Sequence, residues 1–85
     1  MYFVIEHEVH NPEVFWGTVK TAEIPPSLKL HQVFPSGDGT KAVCLWEAPQ
    51  MNIVEDFIEG AVGTVSNNTY FAVQEENAMG LPDAS

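Results

Sequence analysis

Residues 28–49, LKLHQVFPSGDGTKAVCLWEAP, decide the fold of this chain. Two apolar-rich runs, 28–34 and 41–48, flank Pro-Ser-Gly-Asp-Gly-Thr, a connection whose residue types and length fit a β-hairpin. Pro49 closes the second run. Gly-Asp-Gly at 37–39 has no helix behind it, so it is turn chemistry rather than a phosphate-cradling loop.

On the N-terminal side, residues 2–9 alternate: Phe3, Ile5, His7 and Val9 fall on one face and Tyr2, Val4, Glu6 and Glu8 on the other, the period of a strand. Asn11, Pro12 and Glu13 then supply an N-cap, a first helical position and a first-turn acid. Phe15, Val19 and Ala22, with Trp16 beside them, line one face of the helix that follows. Glu-Ile-Pro-Pro at 23–26 ends it, because a proline pair cannot continue a helix. On the C-terminal side a second helix is expected, capped by Gln50 or by Asn52, the latter with Glu55 at capping-box spacing. Its apolar stripe is Ile53, Phe57 and Ala61, flanked by Val54 and Ile58, and Gly60 and Gly63 weaken and end it. Asn67-Asn68 is expected as a turn before a last strand at 69–74.

The order is therefore β-α-β-β-α-β, the split βαβ, ferredoxin-like α+β arrangement with a four-stranded antiparallel sheet. Residues 1–76 form one domain, and 77–85 read as a tail. Both helices cover one face of the sheet. An open face that carries apolar residues commonly pairs with a second copy, which here gives the dimeric α+β barrel.

Composition narrows the function. Eighty-five residues bury roughly two-thirds or less of the surface they expose when unfolded, so a homodimer is the expected extra source of stability. The only cysteine excludes an internal disulfide and fits a reducing compartment. There is no arginine, and Lys20, Lys29 and Lys41 stand against twelve carboxylates for a net charge of −9. That balance provides no basic footprint for nucleic acid and no guanidinium fork for a phosphate. The N-terminus is too acidic for a signal peptide and no apolar run reaches membrane-spanning length, so a soluble cytoplasmic protein is expected.

Faces decide the chemistry. If Val43 and Leu45 meet the helices, Cys44 and Trp46 point to the open face; a one-residue slip of the hairpin inverts that. Leu28, Leu30 and Phe34 are expected under the helices, with Lys29, His31 and Val33 opposite. With His31 across from Cys44, the open face carries Glu6, His31 and Cys44 together, a carboxylate, imidazole and thiolate set suited to nickel or zinc. His7 and His10 point to opposite faces of a strand and read as surface histidines at its end. Trp46 and Tyr70 are candidate walls of a ligand cavity.

Tyr-Phe-Val-Ile-Glu at 2–6, Leu-Lys-Leu-His-Gln at 28–32 and Ala-Val-Cys-Leu-Trp-Glu-Ala-Pro at 42–49, followed by an acidic helix, resemble a family of small bacterial ferredoxin-like proteins. That family is a domain of unknown function associated with nickel binding. The likeness spans residues 2 to about 74 and implies a dimeric α+β fold with Glu6, His31, Cys44 and Glu47 at the matching positions. Relatives carry a polar residue midway along the second helix and an Arg-Ala-Gly-x-Pro ending, where this chain has Phe57 and Glu-Gly-Ala-Val-Gly. The resulting expectation is a homodimeric binding protein with a transition-metal site at Glu6, His31 and Cys44. The rival is a cofactor-independent oxygenase or isomerase acting on a small hydrophobic substrate, with His31 as base and Trp46 as a wall.

Overall fold

A computed structural model describes residues 1–82; residues 83–85 of the expected tail lie outside them. The elements are β1 (Tyr2–Val9), α1 (Pro12–Thr21), β2 (Lys29–Pro35), β3 (Lys41–Glu47), α2 (Met51–Val62) and β4 (Ser66–Ala72). All pairings in the four-stranded sheet are antiparallel, in the order β2-β3-β1-β4. The fold is ferredoxin-like, as the hairpin and its flanking helices imply.

Local chemistry accounts for most boundaries. The Asn11 side chain accepts from the backbone N–H of Val14, and Pro12 opens α1 where a missing N–H costs nothing. In α2 the cap is Gln50, with no side-chain hydrogen bond, so the capping box on Asn52 does not form and Asn52 lies inside the helix. Gly60 is carried within α2, and Gly63 ends it with its N–H donated to the Glu59 carbonyl. Asn67-Asn68 is strand rather than turn: the pair lies opposite Glu8 and His7 on β1. The amide of Asn68 is held by side-chain partners there, which offsets the low strand propensity of asparagine.

The core lies between the helices and one sheet face. Phe3, Ile5 and Val9 from β1 meet Phe15 from α1, Val54, Ile58 and Val62 from α2, and Cys44 and Trp46 from β3. Each such side chain contributes about 1.5–3 kcal/mol when fully buried.

Two expectations about faces are reversed. Cys44 and Trp46 point under the helices, because Ile5 pairs with Cys44 and Phe3 with Trp46 along β1. Val43 and Leu45 therefore take the open face. On β2 a bulge inserts His31 between Leu30, opposite Trp46, and Gln32, opposite Leu45. The extra residue flips everything after it: Val33 joins Cys44 on the core side, and Phe34 joins Val43 on the open face, where both are exposed.

The open face is partly covered by the chain's own C-terminal segment. Val73, Ala78, Met79, Gly80 and Leu81 border a groove with Val4, Gln32 and Leu45, and Leu45 is buried beneath them. The phenol of Tyr2 donates to the Pro82 carbonyl and Gln32 Nε2 to that of Gly80, both at 3.5 Å.

The β2–β3 turn tests the local reading. Gly39 has φ +76°, and a Cβ placed there would sit 3.2 Å from Trp16 Nε1, which donates to the Gly39 carbonyl at 3.0 Å. Gly39→Ala is expected to destabilise the domain by about 1–2 kcal/mol through left-handed strain and the displaced indole. Urea denaturation should show a lower midpoint with an unchanged m-value, and an unchanged midpoint would contradict the turn geometry.

Candidate functional site

Between sheet and helices lies a cavity of about 40 Å³. β2 and β3 supply Leu30, Val33, Cys44 and Trp46 to its wall; α2 supplies Phe57, Ile58 and Ala61; α1 and the segment after it supply Thr18, Val19, Ala22 and Ile24. The lining is apolar except for His7, Thr18, Cys44 and Trp46, and it contains no lysine, aspartate or glutamate.

His7 is the polar centre. It is 4% exposed, on the helix-facing side of β1, with its ring edge-on to Phe15 at 5.2 Å. Its two ring nitrogens have different partners. Nδ1 lies 2.6 Å from Asn68 Oδ1, and Nε2 lies 3.2 Å from Cys44 Sγ. The amide nitrogen of Asn68 donates to Glu59 Oε2 at 2.9 Å, which leaves the amide oxygen turned to the histidine. An oxygen only accepts, so the proton sits on Nδ1, and Nε2 offers its lone pair to the Cys44 thiol. Tyr70 also donates to Glu59 Oε2, and both hydrogen bonds hold the Glu59 carboxyl below its usual range.

The pair rests uncharged. Burial pushes the Cys44 thiol up to about 12. Burial also lowers the pKa of His7, outweighing the hydrogen bond that it donates to Asn68 and the field of Glu59. A thiolate–imidazolium pair is thus not the resting state.

Trp46 is the second polar feature. It is 3% exposed and packs against Phe57 with ring centroids 5.7 Å apart. Its Nε1–H is the one buried side-chain donor or acceptor among the described residues that lacks a hydrogen-bond partner. A buried polar group left in that state costs about 1–3 kcal/mol, so it stands out in an otherwise satisfied core.

The residues singled out from sequence are divided between two faces. His31 lies on the open face, its Nε2 2.8 Å from Glu47 Oε1 and its ring 5.6 Å from that of Tyr2. This hydrogen bond is the main cause of the lowered Glu47 pKa. Glu6 is on the same face, opposite Val43. Cys44 is on the other side of the sheet, so Glu6, His31 and Cys44 do not converge and the residues present do not fit a shared nickel or zinc ion. Among the described residues no group of three or more His, Cys, Asp and Glu side chains is arranged to hold a metal. Trp46 does line the cavity, whereas Tyr70 stands outside its wall and ties β4 to α2 through Glu59.

No family model, curated protein or solved structure matches this chain. Its site is therefore read from its own geometry. The histidine at the cavity is His7, which shares the helix-facing side with Phe3, Ile5 and Val9 as the strand alternation implies, but is buried there and is not a surface histidine at the strand end.

The depressed pKa of His7 has a pH consequence. On acidification the unfolded chain takes up a proton at histidine near pH 6.5 while the folded chain does not, so stability falls as pH drops from about 6.5 toward the lower folded value. The groups facing the ring are Asn68, Cys44 and Phe15, with Glu59 beyond Asn68. In a proton NMR titration the His7 ring resonances should show a midpoint below 6.5. A midpoint above it would mean that the imidazolium is the buried form.

Proposed function

We propose that this chain is a homodimeric binding domain for a small, uncharged, largely apolar molecule held between its helices and sheet. The observation that carries the reading is the apolar cavity, whose wall includes the hydrogen-bonded His7–Cys44 pair. An ionic ligand would find no countercharge in that wall, and a net charge of −9 repels anions from the protein as a whole.

A cavity of about 40 Å³ holds water but not an aromatic ring, which needs a cavity of about 150 Å³. Entry therefore requires the walls to part. The segment joining α1 to β2 is suited to that movement: it contributes Ala22 and Ile24, has no regular structure through residues 22–25, and leads into an edge strand. Binding would replace small-cavity walls by ligand contacts at the cost of displacing that connection.

The homodimer rests on the open face. Phe34, Val43 and Phe71 are exposed there on three strands, Met79 lies beside the groove, and a second copy of this chain would bring the same apolar row against them. A chain of this size gains from such burial.

Two measurements check the reading. Ligand-observed NMR with ethylbenzene should detect binding to the wild type and at least tenfold weaker binding to Val33→Phe, which fills the cavity from β2. Equal binding by the two proteins would place the ligand elsewhere. In light scattering, the wild type should have the mass of two chains and Phe34→Glu that of one. A wild-type monomer at about 100 μM would refute the dimer, since a functional interface should hold at concentrations well below that.

A further inference from the structure

The segment after β4 lies on the surface that a second copy would need. The Val73 N–H donates to the Tyr2 carbonyl and so continues the pairing of β4 with β1. The chain then turns: the N–H groups of Asn77 and Ala78 donate to the carbonyls of Gln74 and Glu75 at 3.3 and 3.4 Å. Past that turn it reaches Gln32 on β2 at Gly80, which has φ +87°, and Tyr2 on β1 at Pro82. Beneath it is the most apolar row of the open face, where Leu45 lies opposite Val4 and Val4 opposite Phe71. The rows beyond are more polar, with Glu6 opposite Thr69, and Glu8 opposite both Lys41 and Asn67.

This strap, residues 74–82, is held lightly. Ala78 and Leu81 are half-buried, Met79 is 97% exposed, and both hydrogen bonds to the sheet are 3.5 Å long. Few buried contacts and long hydrogen bonds are the marks of a segment that opens at low cost. Two sheets packed face to face stand about 10 Å apart, and side chains from both fill the gap. Backbone lying on one sheet takes that room, so a strap and a second copy cannot both cover Val4 and Leu45. Charge suits a second copy as the competitor. The strands bring Glu6, Glu8 and Glu47 to the open face together with Lys29 and Lys41, so only one of the nine net negative charges resides there. Two copies meeting at this face escape most of the repulsion that their other surfaces would impose.

From this overlap we infer that residues 74–82 are a displaceable strap that competes with a second copy of the chain for the open face. Dimerisation releases the strap, and closure of the strap weakens the dimer. The inference rests on the open-face homodimer proposed above and adds its regulation. A strap closed about nine-tenths of the time leaves about a tenth of each copy competent; two copies must open, so its loss would tighten the dimer about a hundredfold.

Two full-length variants test this by sedimentation over a concentration series. Gly80→Val disfavours the left-handed backbone of the strap, and no atom lies within 4 Å of the added Cβ, so the sheet face is untouched. Leu81→Gln removes an apolar anchor from the groove without adding charge. Both should dimerise at least tenfold more tightly than the wild type. In methyl-labelled wild type, the Leu81 resonances should move toward those of a mobile chain as the dimer forms. Equal or weaker dimerisation of both variants would overturn the inference and leave the dimer standing, because the strap would then be a bystander or part of the interface. A monomeric wild type beside dimeric variants would remove the dimer of the intact chain and keep the strap as its block. Monomers in all three proteins at about 100 μM would overturn both readings.

Discussion

The antiparallel pairing of β1 with β3 is the constraint from which the rest follows. Because Ile5 lies opposite Cys44 and Phe3 opposite Trp46, side chains of β3 with even numbers share the helix face with the odd-numbered ones of β1. That parity carries the thiol and the indole into the core and leaves Val43, Leu45 and Glu47 outside. A shift by one residue would exchange the two sets, putting a cysteine on the open surface and a glutamate beneath the helices. Burying that carboxylate unpaired would be prohibitive. The register is thus enforced by what the wrong face would have to hold.

The polar part of the interior is as closely determined as the apolar part. His7, Asn68 and Glu59 come from β1, β4 and α2, and their hydrogen bonds leave little choice of proton position. Asn68 accepts from the imidazole and donates to the carboxylate; turning its amide over would set a donor against a donor at one end and an oxygen against an oxygen at the other. Ser66 adds a hydroxyl 2.8 Å from the same amide oxygen. This network closes the β4 side of the domain and presents one imidazole nitrogen to the cavity.

How far the sequence reveals this structure depends on the kind of signal. The hairpin at 28–49 and the two apolar stripes around it are local, periodic patterns, and the strand and helix order follows from them directly. The face taken by Cys44 is not local. Val43, Leu45, Cys44 and Trp46 are all apolar enough for a core, so within β3 only the charged ends, Lys41 and Glu47, mark the outer face, and the pairing with β1 fixes it. The bulge at His31 has no glycine or proline to announce it, and without it Phe34 reads as core and Val33 as surface. The metal set drawn from Glu6, His31 and Cys44 depended on the first of these choices, since Glu6 and His31 do lie on the open face. Asn67-Asn68 reads as a turn because its strand role comes from partners more than fifty residues away in β1. The unpartnered nitrogen of Trp46 is a property of three-dimensional surroundings and has no trace in sequence.

The same irregularity at His31 has a consequence at the sheet boundary. β2 is an edge strand, and a straight edge offers its free amides and carbonyls to any other extended chain. Here that edge begins with a lysine, is interrupted after two residues by the bulge, and ends in Pro35, which has no amide to offer. A foreign strand could align with only a few consecutive groups before losing register. The feature that sorts β2 side chains between two faces therefore also discourages the sheet from growing sideways at its β2 edge.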